Sequence, residues 1–221
     1  MILCIGDVLD SAALVELRDT IASGVFVDGV LTSGWASRLV KNNEQLGAGP
    51  ALEAAQKIVI SILSVNPVFS AGVQPRRFAP PLFARYIPGM QFGTHMDNAV
   101  IGPDHLRTDV SVTLFLSDPD DYDGGELVME SNSGEAAYKL PAGSAIAYPT
   151  TMLHRVEPVT RGVREVAVTW VQSLVRRADQ REILFDLDRV GHAIFEREGK
   201  SEAFDLINKS TANLRRMWVD S

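Results

Sequence analysis

Hydrophobic and polar positions along the chain change rhythm twice. Between 10 and 22, Leu14, Leu17 and Ile21 recur at helical spacing behind Asp10 and Ser11, both good helix caps, so an amphipathic helix is expected. Short strands are expected at 25–31 and 36–41, around a turn at Thr32-Ser33-Gly34-Trp35. Pro50 suits a first helical turn, and a second helix should run to about 63 with Ala51, Ala55, Ile58 and Ile62 inward, until Asn66-Pro67 stops it. From residue 78 the runs shorten and become β-rich, punctuated by Pro80-Pro81, Pro88-Gly89, Gly102-Pro103, Gly124-Gly125, Gly143 and Gly162. Strands are expected at 82–87, 91–95, 109–116, 126–129, 136–140, 144–148, 154–158 and 163–171. So many short strands at such spacing point to a sandwich or barrel, not to alternating βα units. Within 109–116, Val110, Val112, Leu114 and Leu116 share one face, while Asp109, Ser111 and Thr113 share the other, which must line a cavity or meet water. After 173 helical texture returns, as a stripe of Ile183, Leu187, Val190 and Ile194 closed by Gly199. A further helix, capped by Ser201, carries Phe204, Ile207, Leu214 and Trp218. The expected organisation is a segment 1–77 packing on the core, a β-rich core 78–174, and a helical extension 175–221 too small to stand alone.

Composition and charge narrow this only slightly. With 221 residues, 46% hydrophobic and 22% charged, the chain fits one large globular domain. A net charge of −7 without a basic stripe argues against a nucleic-acid partner. Cys4 is the single cysteine, which excludes an internal disulfide framework and a Cys-based zinc site and fits a reducing compartment. The first seven residues lack the basic start and the length of a signal peptide, and no apolar run approaches the roughly 20 residues of a membrane span. A cytoplasmic protein without a membrane partner is therefore expected.

The candidate chemistry begins at His95-Met96-Asp97. On a strand, residues two apart share a face, so an imidazole and a carboxylate emerge side by side. His154, which opens a later strand, offers a third ligand, and two His plus one carboxylate is the signature of non-haem Fe(II) oxygenases. A surface His and Asp at a strand end, with His154 as a structural histidine, is the plain alternative. Arg164 shares its strand face with Val166, Val168 and Trp170, where a guanidinium is costly to bury without an anion; a dicarboxylate would satisfy it. The alternative is an arginine whose stem lies on the barrel while its head reaches water. Tyr86 shares a face with Leu82 and Ala84 and either hydrogen-bonds a carboxylate near the metal or sits in the core with a backbone partner. Asn98, Arg107, Thr108 and Asp109 either line the mouth of the site or form a solvated loop. His105 and His192 are not expected as ligands, and Arg155 and Arg161 are expected to be exposed. The acidic run 118–123 lacks EF-hand spacing and is expected to be a hairpin turn.

Several longer motifs carry a resemblance: Leu82-Phe-Ala-Arg-Tyr, His95-Met-Asp, Arg107-Thr-Asp-Val-Ser-Val-Thr-Leu-Phe-Leu-Ser-Asp-Pro, Tyr122-Asp-Gly-Gly-Glu-Leu, Lys139-Leu-Pro-Ala-Gly, Tyr148-Pro, His154-Arg-Val-Glu-Pro-Val-Thr-Arg-Gly-Val-Arg164 and Trp170-Val-Gln-Ser. With Lys41-Asn-Asn and the helical tail, they make nearly the whole chain resemble the bacterial PKHD-type hydroxylases, Fe(II)- and 2-oxoglutarate-dependent dioxygenases of the prolyl 4-hydroxylase type. The resemblance implies a mainly β fold with flanking helices, built on a double-stranded β-helix (jelly-roll) core. It implies Fe(II) held by His95, Asp97 and His154, and 2-oxoglutarate as co-substrate with its far carboxylate on Arg164. It also implies L-ascorbate as reductant, and release of succinate and CO2 as a substrate is hydroxylated. The prime substrate, a peptidyl residue or a small metabolite, is not named by any motif. The apolar stripes of the tail suggest a homo-oligomer. The competing readings are a non-catalytic jelly-roll metal-binding or iron-sensing protein and a nucleic-acid demethylase, the latter disfavoured by the acidic charge.

Overall fold

The alternating strand near the middle of the chain is the hub of the fold. A computed structural model describes residues 1–32, 34 and 37–220, and in it Val110–Phe115 is buried on both faces. It pairs antiparallel with Ala145–Pro149 on one side and Arg164–Ser173 on the other. The sheet around it runs Leu3–Ile5, Ala145–Pro149, Val110–Phe115, Arg164–Ser173, Leu82–Tyr86, Glu44–Leu46, Phe26–Asp28, with Pro75–Phe78 added along Arg164–Ser173. A second sheet runs Gly134–Tyr138, Leu127–Ser131, His154–Val156, Gln91–His95, Lys41–Asn42.

Period-two alternation sorts the side chains of the large sheet into two cores. Val110, Val112, Leu114, Ala145, Ala147, Phe83 and Ala167 enter one core with the helices. Phe115, Ile146, Tyr148, Ala84, Tyr86 and Val166 enter the other, against Leu127, Met129 and Val156 of the second sheet. Ser111 and Thr113 lie on the Phe115 face, so the polar positions of this strand point between the sheets. The helical layer on the outer face is α1 (Ser11–Ala22), α2 (Pro50–Val65) and α3 (Pro67–Val73). Asp10 caps α1 by accepting from the Ala13 amide, and Leu17, Ile21, Ala55, Val59, Leu63, Phe69 and Val73 fill the core beneath. The tail forms α4 (Ala178–Glu198) and α5 (Glu202–Trp218), the latter capped by Ser201. No single helix among the described residues is long and apolar enough to cross a membrane.

All eight strands expected from residue 82 onward are present, with small shifts at their ends. Asn66-Pro67 ends α2 as expected, and the chain then turns by 80° because the Asn66 side chain accepts from the Phe69 amide and Pro67 opens α3. Three expectations need correction. The strand expected at 25–31 is extended only over Phe26–Asp28, since Asp28 accepts from the Val30 amide and starts a 3-10 turn. Of 36–41, Ser37–Leu39 is a 3-10 turn and extension begins at Lys41, while Ser33, Trp35 and Ala36 lie outside the described residues. The inward stripe of α4 is rotated: Arg181, Leu184 and Gly191 are buried, whereas Ile183 and Val190 are 46% and 48% exposed. Arg181 sets that face by donating to the carbonyls of Val175, Arg176 and Asp109, which anchors the helix to the chain beside the central strand.

Candidate active site

Strand register brings together what sequence separation keeps apart. His154 lies directly opposite His95 in the second sheet, and Asp97 follows two residues on, just past the strand end. One ligand atom from each of His95, Asp97 and His154 falls within 4.8 Å of the others. Each imidazole Nδ1 meets a carbonyl two residues earlier, Gly93 at 2.8 Å and Met152 at 3.1 Å. With the proton on Nδ1 donated there, both Nε2 lone pairs are bare. Those Nε2 atoms stand 3.9 and 3.8 Å from the Asp97 oxygens, too far to hydrogen-bond but close enough for one shared cation to bridge. Burial, reinforced by the neighbouring His154 ring, pushes the His95 pKa well down, so this imidazole is in the neutral form a metal needs. Phe92 stacks on His95 at 3.6 Å between centroids, and Tyr148 meets His154 edge-on at 5.2 Å. Two neutral nitrogens and one carboxylate on one side of a cavity are a donor set suited to Fe(II).

The Asp97 carboxylate is itself held. Ser111 Oγ donates to its Oδ2 at 2.7 Å, and Thr150 Oγ1 lies 3.1 Å from Ser111 Oγ. Ser111 has one hydroxyl proton, so when it serves Asp97, Thr150 must donate to Ser111. Alternation placed Ser111 on the polar face, but its partner comes from a different strand and could not be read locally. Because such outer partners fix ligand orientation, Ser111→Ala is expected to weaken divalent-metal binding by roughly 10–100-fold with little loss of stability. Titration with Mn(II) and a thermal melt check both halves of that statement.

Arg164 lies opposite Tyr86 in the large sheet and is 1% exposed. Its Nε and Nη1 have no hydrogen-bond partner among the described residues. The guanidinium carbon sits 5.1 Å from the Tyr86 ring centroid and 5.8 Å from that of Phe115, contacts that offset only part of its desolvation. A narrow cavity connects it to the cluster, lined by Arg164, Tyr86, Thr113, Tyr148, His95, Asp97 and His154. Burial raises the Tyr86 phenol pKa, keeping it a donor. Gly125 supports the arginine from behind: its φ is +67°, and a Cβ there would lie 2.9 Å from Arg164 Cδ and 3.1 Å from Tyr122 Cε2. The Asp-Gly-Gly turn thus does two jobs, a left-handed backbone and room for the guanidinium stem. Gly125→Ala is expected to lower the melting temperature by straining the left-handed turn and displacing Arg164, measurable by a thermal melt.

A wider cavity of about 760 Å3 opens on His95 and Asp97, with Phe78, Leu82, Phe92, Val100, Leu106 and Trp170 among its walls. Lys41 and Arg77 also line it, and burial lowers the Lys41 ammonium to about 8 against the opposing pull of Asp28 and Asp97. Asn98 reaches this cavity, but Arg107, Thr108 and Asp109 neither line it nor form a solvated loop. Arg107 binds Asp109 at 2.8 Å and Asp220 at 3.1 Å; Asp109 also accepts from the Ser173 amide; Thr108 is buried and donates to the Asn98 carbonyl. These residues brace the chain behind the site. His105 and His192 stand apart from the cluster. Arg155 is drawn into ion pairs with Glu130, Glu135 and Glu157 and is only partly exposed, while Arg161 pairs with Asp123 on the surface. The acidic run folds as a 3-10 turn, Pro119–Asp121, and then pairs Tyr122–Gly124 with Val159–Gly162.

Residues 81–172 match the family model of the 2OG-Fe(II) oxygenase superfamily. A PKHD-type hydroxylase of a Synechococcus species is 52% identical over 223 aligned residues, with 100% of both chains covered. The chain belongs to the PKHD-type hydroxylases. A further member, from Gloeothece citriformis, is 50% identical over 220 residues, again with both chains fully covered. Among solved structures, a prolyl hydroxylase from Trichoplax adhaerens bound to a peptide fragment of a hypoxia inducible factor has a TM-score of 0.59 at 17% identity, covering 83% of this chain and 86% of that one. A Pseudomonas putida prolyl-4-hydroxylase has a TM-score of 0.52 at 20% identity, covering 78% and 92%. This PKHD-type hydroxylase shares their fold, a jelly-roll core that is mainly β with flanking helices. It is a 2-oxoglutarate-dependent hydroxylase, and the alternative of a non-catalytic metal-binding or iron-sensing protein finds no support among its relatives.

Proposed function

We propose that in this PKHD-type hydroxylase Fe(II) is held by His95, Asp97 and His154, and that 2-oxoglutarate is anchored at its far carboxylate by Arg164 with help from Tyr86. One observation carries this reading: a fully buried guanidinium with two bare N–H groups lines the same narrow cavity as the His-Asp-His cluster. A buried cation without an anion is strongly unfavourable, and a dianion one keto acid long supplies a partner at each end of the cavity. Bound there, iron with 2-oxoglutarate and O2 supplies oxidative decarboxylation to succinate and CO2, coupled to hydroxylation of a C–H bond. The chain's own part is positional. Gly93 and Met152 carbonyls orient the two imidazoles, Ser111 orients the carboxylate, and Phe92 and Tyr148 fix the rings.

The prime substrate enters through the wider cavity, whose volume suits a small metabolite or a single side chain of a peptide. L-ascorbate serves as the reductant that keeps the iron ferrous. The single cysteine agrees with a cytoplasmic location. Self-association through the tail helices draws on exposed Phe195, Leu206 and Met217. Residues 78–174 are the catalytic core, with 1–77 packing on it and 175–221 as the extension. The purified protein given Fe(II), 2-oxoglutarate and ascorbate is expected to form succinate slowly even without prime substrate. Absence of both succinate and calorimetric 2-oxoglutarate binding would overturn the site assignment.

A further inference from the structure

One buried amide is under-satisfied. Asn43 is 3% exposed, and neither its Oδ1 nor its Nδ2 makes a well-formed hydrogen bond among the described residues, although the amide lies close enough to the Tyr86 phenol to favour its ionised form slightly. An unsatisfied buried amide costs about 1–3 kcal/mol and calls for an explanation, a missing ligand being one. Asn43 stands where the chain crosses between the sheets: Lys41–Asn42 pairs with Gln91–His95 in the second sheet, and Glu44–Leu46 pairs with Leu82–Tyr86 in the large one. Glu44 lies opposite Arg85, and Tyr86 lies opposite Arg164. Asn43, one residue before Glu44, therefore comes level with Tyr86, in one row with Arg164 across three strands. It also lines the same narrow cavity as both. A Cβ on Gly29 would fall 1.9 Å from Asn43 Oδ1, so the oxygen lies against the bare Gly29 Cα, while the amide lines the cavity next to Tyr86.

We propose that Asn43 is a co-substrate-binding residue, its Nδ2 donating to the far carboxylate of 2-oxoglutarate beside the Arg164 guanidinium and the Tyr86 phenol. The inference rests on the reading of Arg164 given above. A carboxylate has about four acceptor sites, more than one guanidinium edge can fill, and a neutral donor adds a hydrogen bond without adding charge. It makes the N-terminal segment part of the binding site, and it gives Gly29 a reason to be glycine.

The test titrates Mn(II)-loaded protein by calorimetry with 2-oxoglutarate and with 2-oxobutyrate, which keeps the keto-acid head and lacks the far carboxylate. Asn43→Asp, nearly isosteric, is expected to raise the 2-oxoglutarate dissociation constant by at least about thirtyfold, because carboxylate then faces carboxylate. Asn43→Ser, whose hydroxyl falls short, is expected to raise it roughly five- to tenfold and decides the matter if the Asp variant fails to fold. Binding of 2-oxobutyrate and of Mn(II) alone should change less than about twofold in either variant, as expected for a contact confined to the far carboxylate. Wild-type-like 2-oxoglutarate binding in the variants, or equal weakening of both keto acids, overturns the proposal. Failure of the underlying reading looks different: the wild-type protein would not bind 2-oxoglutarate, or Arg164→Ala would bind it unchanged.

Discussion

Asp97→Ala and His154→Ala are each expected to form no succinate above background, a loss of at least about a thousandfold in turnover. Three donors from two strands and a strand end converge within 4.8 Å, and no fourth His, Cys, Asp or Glu joins them among the described residues. Removing one leaves two protein donors, too few to hold a labile divalent ion with open positions for co-substrate and O2. The two variants should differ in stability. Asp97→Ala takes a carboxylate from between two imidazoles and leaves the Ser111 hydroxyl without its acceptor. His154→Ala opens a gap beside Tyr148 and His95 in the inner core, so it should melt lower. Metal content after gel filtration, measured alongside succinate, separates loss of iron from loss of fold. His105→Ala and His192→Ala serve as controls and should retain full activity, since both lie away from the cluster. Wild-type metal stoichiometry and turnover in Asp97→Ala would remove the basis for the whole site.

What could be read from the sequence was local. The alternation in 109–116 sorts Val110, Val112 and Leu114 away from Ser111 and Thr113, and the structure builds its two cores on that division. His95 and Asp97 are two residues apart, so their adjacency is a property of one strand. Their meeting with His154 depends on antiparallel register with a strand 59 positions on, which no local pattern encodes; it was legible only as a motif shared with a family. Helix caps at Asp10 and Ser201 were visible because capping is a contact over three residues. The face of α4 was not, because Arg181, a charged residue, is pulled inward by the carbonyls of Val175 and Arg176 just before the helix and of distant Asp109, and rotates the helix away from its apolar stripe. The N-terminal strands were blurred for a similar reason. Lys41–Asn42 and Glu44–Leu46 are only two and three residues long, held by pairing with strands about 50 and 40 residues later. Strands this short carry too few positions for a period to register.

Arg164→Met is expected to have opposite effects on the free and the co-substrate-bound protein. In the free protein, Arg164 is a buried cation whose Nε and Nη1 have no hydrogen-bond partner among the described residues. An unbranched apolar side chain of similar reach removes that unpaired charge, so the variant should melt at or above the wild-type temperature. With 2-oxoglutarate bound as proposed, the same change removes a charge-assisted, two-pronged contact to the far carboxylate. Breaking such a contact costs about 2–5 kcal/mol, which corresponds to a roughly 30- to several-thousandfold rise in the 2-oxoglutarate dissociation constant. Saturating ligand at about 100 times the dissociation constant stabilises a protein by about 2.7 kcal/mol, so the wild type should gain several degrees with Mn(II) and 2-oxoglutarate where the variant gains almost none. Arg164→Lys should fall between them, because an ammonium keeps the charge but not the planar fork. Metal binding without co-substrate should be unchanged in both, since Arg164 contributes no ligand atom to the His95, Asp97 and His154 cluster. A variant melting well below wild type without ligand, yet binding 2-oxoglutarate normally, would assign Arg164 to structure and leave the far carboxylate to some other group.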